Sequence, residues 1–64
     1  MTRAELIRKR AEDCLTRARN LNDRAQVEQA PKAALDLARA SNAQCIAGLV
    51  LLELAGVERE VDAA

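Results

Sequence analysis

Apolar and small residues return every seventh position through the first half of the chain, which divides from Arg3 to Ala30 into RAELIRK, RAEDCLT, RARNLND and RAQVEQA. With Ala4 as position a, the a sites are Ala4, Ala11, Ala18 and Ala25, and the d sites are Ile7, Cys14, Leu21 and Glu28. A sustained seven-residue apolar period is the mark of a helix that packs along one seam, as in a coiled coil. It predicts helix one over about 3–28. Thr2-Arg3-Ala4-Glu5 has the capping-box pattern, in which the Thr hydroxyl accepts from the Glu5 N–H and the Glu carboxylate reaches back to the Thr2 N–H. Asn20 and Asn22-Asp23 have turn character but occupy outer heptad positions, so the helix is expected to run through them.

Pro31 lacks an N–H and fits the first turn of a helix, where that donor has no intrahelical partner. Helix two is therefore expected over 31–55. Its small residues also recur every seven, at Ala34, Ser41, Gly48 and Ala55, with Ala38, Cys45 and Leu52 four places beyond the first three. Gly56 is placed to end it in the left-handed conformation, leaving an acidic tail over 57–64. The fold class is all-α. Two long helices joined by a short turn near 29–31 must run antiparallel, as a helical hairpin.

Folding about that turn pairs positions whose numbers sum to 59: Ala4 with Ala55, Ala11 with Gly48, Ala18 with Ser41 and Ala25 with Ala34. Between these layers fall Ile7 with Leu52, Cys14 with Cys45, and Leu21 with Ala38. Small residues meet small ones, so the helix axes can lie at the short end of the ~8–10 Å range.

The stretch CIAGLVLLELAG, 45–56, is apolar almost all round, and the seam uses only one side of it. Leu35, Ile46, Leu49, Val50, Leu51 and Leu54 are left to form an interaction face. The run is shorter than the ~20 apolar residues of a membrane span and is interrupted by Glu53. An interfacial membrane helix would want a cationic polar face, which this segment lacks. A second protein surface is the expected cover, most simply a second copy related by a two-fold axis, giving a four-helix bundle.

Composition narrows the chemistry. Among 64 residues there is no Phe, Tyr, Trp or His, so the largest core side chains and the commonest general base are both missing. No catalytic site, metal site or cofactor is expected. Cys14 and Cys45 are two thiols without His, half of a zinc tetrahedron, and are expected reduced in the seam. Gly48 and Gly56 are the only glycines, too few for a phosphate-binding loop, and Glu58, Glu60 and Asp62 lack the spacing of a calcium loop. No secretory pattern follows Met1, and the cytoplasm is the expected location.

Net charge is zero but unevenly spread: residues 1–24 hold seven Lys/Arg against four Asp/Glu, and residues 53–62 are acidic. The hairpin sets Glu53 and 58–62 beside Arg3, Arg8 and Arg10. Arg3, Arg10, Arg17 and Arg24 form a stripe at position g that could contact nucleic-acid phosphates. Acids four residues away offer local partners, in Glu5–Lys9, Arg8–Glu12, Asp13–Arg17, Arg19–Asp23 and Arg24–Glu28, and no aromatic is present to stack on a base.

Length, mid-chain turn, small a-site residues and dimerisation together resemble the Rop family, two-hairpin dimers that bind paired RNA loops. The resemblance spans the whole chain, is architectural, and implies a bundle fold. The Rop RNA face uses a helix-one Phe that this sequence lacks, so no binding residue carries over. The expected function is a small non-catalytic protein-interaction module, an adaptor, inhibitor or assembly factor; the alternative is a Rop-like RNA-binding dimer using the Arg stripe.

Overall fold

A computed structural model describes residues 1–63, with side chains through Val61. It is an antiparallel hairpin of two helices, α1 (Arg3–Val27) and α2 (Pro31–Ala63), packed side by side along a rod of 51 × 16 × 10 Å.

Thr2 is the N-cap of α1: its hydroxyl accepts from the Glu5 N–H at 3.2 Å. The predicted reciprocal bond from Glu5 to the Thr2 N–H is replaced by a side-chain contact, with the Thr2 hydroxyl donating to Glu5 Oε1 at 3.2 Å. At the far end α1 stops at Val27, one residue short of the expected boundary. Glu28 is extended, and its carboxylate accepts from the Ala30 N–H at 3.1 Å, which ties the connection down. Glu28 is therefore a turn residue. No described residue of the chain has a positive φ, so this turn needs no glycine.

Pro31 opens α2 as expected, and the Ala30 carbonyl accepts the first helical bond from the Ala34 N–H at 2.9 Å. The other end differs from expectation. α2 does not stop at 55: it passes through Gly56 to Ala63, and the segment read as an acidic tail is helical as far as it is described. A left-handed glycine ends a helix when the chain beyond it gains by turning away. Here Val57, Glu58 and Val61 continue the helical pattern, and Glu58 has a partner across the seam, so the chain gains by going on.

Two contacts fix the register. Ser41 Oγ donates to the Ala18 carbonyl at 2.7 Å. A Cβ built on Gly48 would lie 3.1 Å from the Ala11 carbonyl oxygen. Both pairs sum to 59, as the seven-residue periods predicted. Ala4, Ile7, Ala11, Cys14, Ala18, Gly48 and Ala55 are buried, and Leu21, Ala25, Ala34, Ser41, Cys45 and Leu52 are half-buried. Ala38 is exposed, contrary to expectation, and Leu37 is half-buried in its stead. An α-helix turns about 100° per residue, so a strict seven-residue row drifts by ~20° per heptad in a straight helix. From Leu52 back through Cys45 to Ala38 the row walks out of the seam.

With no large side chain fully buried among the described residues, cohesion comes from backbone proximity and dispersion over a long contact. Gly48 is the tightest point, where the position of its missing Cβ is only 2.8 Å from Cγ and Cδ2 of Leu15. Leu15 covers the glycine, a role the heptad reading did not give it.

Candidate functional site

α2 presents two opposite faces. The seam side carries Ala34, Ser41, Gly48 and Ala55. About 180° away, at 100° per residue, lie Leu35, Ile46, Val50, Val57 and Val61, flanked by Leu49 and Leu54. All seven are exposed, from 41% at Leu54 to 65% at Val61. Five of the six residues expected to form the interaction face are thus brought together on it. The sixth, Leu51, is half-buried on the seam side. Val57 and Val61 were missed because the helix was expected to end before them. Their signal was present in sequence: 46, 50, 54, 57 and 61 continue a three-four spacing straight through Gly56.

The face is convex and mostly hydrocarbon. Arg39 and Glu53 are the charges nearest its midline, with Lys32 and Glu60 toward its two ends. Lys32 Nζ lies 3.1 Å from Asp36 Oδ2; Arg39 and Glu53 make no ion pair within the described residues. No cavity opens among the described residues, so recognition falls to helix surface and not to a cleft. Nor do three or more His, Cys, Asp or Glu side chains gather among them in a manner that could hold a metal ion.

The arginine stripe is turned partly inward. Arg3 Nε reaches Glu58 Oε1 across the hairpin at 3.0 Å. Arg17 Nε donates to Gln44 Oε1 at 3.2 Å and its Nη2 to the Cys14 sulfur at 3.3 Å. These pairs sum to 61, and the same register sets Arg10 level with Leu51 and Arg24 level with Leu37. The stripe runs along the lip of the seam. Of the local pairs expected on α1, Arg8–Glu12 forms, at 3.5 Å. Asp13–Arg17 and Arg24–Glu28 give way to contacts that close the seam and the turn. Such exposed pairs contribute only ~0–1 kcal/mol each, so they orient the helices more than they hold them.

Cys14 is buried and Cys45 half-buried, both as free thiols.

By length and composition, α2 from Pro31 to Val61 is long and apolar enough to cross a membrane, where the sequence suggested a run too short to do so. Only 11% of its most apolar stretch is buried inside the hairpin. Crossing a bilayer would, however, require α2 to leave α1, whose charged surface lies along it and could not follow into hydrocarbon.

No protein-family model, curated protein or solved structure matches the chain.

Proposed function

We propose that this chain is a non-catalytic protein-interaction module, an adaptor, inhibitor or assembly factor, which offers the outer face of α2 to an apolar protein surface in the cytoplasm. One observation carries this: a row of Leu, Ile and Val side chains, exposed and continuous over half the length of α2, lies opposite a seam built of small residues. Among the described residues the hairpin has no third element to cover that row. Exposed apolar patches of this extent mark interaction sites in soluble proteins. Fully burying each Leu-sized group yields ~1.5–3 kcal/mol, and association itself costs several kcal/mol, so affinity requires most of the row at once. If the cover is a second hairpin, the result is a four-helix assembly held by coiled-coil-like packing.

An RNA-binding role for the arginine stripe has less support. Two of its four members, Arg3 and Arg17, are engaged with Glu58 and Gln44 across the hairpin, and no aromatic stands beside them.

The test is photo-crosslinking inside the native host, with a photoreactive residue in place of Val50 and, as control, in place of Asn20 on the outer side of α1. Protein adducts at position 50 and few at position 20 are expected. Lipid adducts at position 50, or equal labelling at both positions, would overturn the assignment.

A further inference from the structure

We propose that the occupant of this face is a second copy of the chain, with the two α2 helices antiparallel about a two-fold axis at Ile46. This rests on the protein-interaction reading above and names its partner.

The exposed face itself carries the matching symmetry. Its midline positions are Lys32, Leu35, Arg39, Asn42, Ile46, Val50, Glu53, Val57 and Glu60, each exposed. They follow one another at intervals of three and four, so they share one side of the helix. An antiparallel copy centred on Ile46 matches positions whose numbers sum to 92. Lys32 then faces the partner's Glu60, Leu35 the partner's Val57, Arg39 the partner's Glu53, Asn42 the partner's Val50, and Ile46 its own copy. Both basic positions meet acids, and two apolar layers meet apolar ones. The layer of Asn42 against the partner's Val50, which the two-fold axis repeats once on the other side, is the one mixed kind, and a polar residue within a helix interface is a known means of fixing register.

Other arrangements of the same two faces lose this match. A parallel pair stacks Arg39 on Arg39 and Glu53 on Glu53, and like charges across an interface count against it. Sliding the antiparallel pair by one heptad sets Ile46 against Glu53 in one direction and against Arg39 in the other. The axis also falls near the middle of α2, so the helices overlap along nearly their whole length and the full apolar row is used. Arg39 and Glu53 have no ion-pair partner within the described hairpin, which leaves them available across the interface.

Because this face lies opposite the seam, the product is a layered row, α1, α2, partner α2, partner α1, with the two α1 helices outermost. It is distinct from a square bundle in which all four helices share one core.

Charge exchange provides the test, with mass and affinity measured by analytical ultracentrifugation and helicity by circular dichroism. The unmodified chain should be a dimer at micromolar concentration. Glu53→Arg alone and Arg39→Glu alone should each weaken dimerisation by tenfold or more, since each places two like-charge contacts in the symmetric pair. Mixing these two variants in equal amounts should yield a one-to-one heterodimer, and combining both substitutions in one chain should restore the homodimer. An effect of misfolding would not be repaired by mixing. Variants that dimerise as the unmodified chain does, or a mixture that stays unpaired, would overturn the inference. A folded chain that remains monomeric would overturn it as well, while protein adducts at position 50 would then still uphold the broader interaction role.

Discussion

At the scale of single residues, the two glycines of α2 have opposite meanings. Gly48 lies where a Cβ would press on Cγ and Cδ2 of Leu15 at 2.8 Å and on the Ala11 backbone oxygen at 3.1 Å. The Leu15 side chain can rotate away in part, but the backbone carbonyl can move only if the helices separate. Gly56 has nothing within 4 Å of the same point. In a helix interior, Gly costs ~1 kcal/mol relative to Ala, so Gly56→Ala should raise stability by about that much. Gly48→Ala should lower stability, because overpacking a close contact costs ~1–3 kcal/mol and offsets the gain in helix propensity. Chemical denaturation of the two variants against the unmodified chain would read both. Equal and favourable effects would mean that the helices are not in close approach at Gly48. Ser41 adds a directional element: its hydroxyl bonds the Ala18 carbonyl at 2.7 Å and marks the register where an alanine would only fill space.

At the scale of elements, the hairpin, its turn and its pairing were legible in the sequence because two rows of small residues share one seven-residue period. Once one level is matched, the rest follow, and Ala11 against Gly48 and Ser41 against Ala18 are found as read. The limits of that reading have physical causes. A heptad row is only nearly parallel to a straight helix axis, so Ala38 drifts into solvent and Leu37 turns inward. Gly56 carried a stop signal by residue type, but tertiary contacts beyond it, with Arg3 holding Glu58 at 3.0 Å, extend the helix. Of the candidate face, Leu35, Ile46, Leu49, Val50 and Leu54 were legible as hydrophobes left over from the seam. Val57 and Val61 were hidden behind the assumed end of the helix, and Leu51 was assigned without allowing for the width of the seam. The layer between the two fixed contacts supplies a check on register, since it brings Cys14 level with Cys45. Mild oxidation should link these two thiols within one chain, as seen by mass spectrometry of the non-reduced protein after proteolysis. Links exclusively between chains would contradict the register, because neither cysteine lies on the outer face of α2.

At the scale of the whole molecule, the seam and the outer face are two parts of one arrangement. Small residues let the helices approach closely, but they bury little hydrocarbon, and a chain of 64 residues has little else to bury. Most of the larger side chains of α2 stand on the side away from α1, where, on the pairing proposed above, a second copy would cover them and supply the apolar burial that the hairpin lacks. Folding and association are then coupled, and stability should rise with protein concentration. Small-angle X-ray scattering tests this self-matching of the outer face most directly, because it reports mass and length together. The hairpin is 7.0 kDa with a long dimension of 51 Å. Pairing about Ile46 doubles the mass to about 14 kDa while leaving the long dimension close to 51 Å, since the copies lie side by side. A particle of the monomer's mass, or a dimer about twice as long as the hairpin, would contradict it.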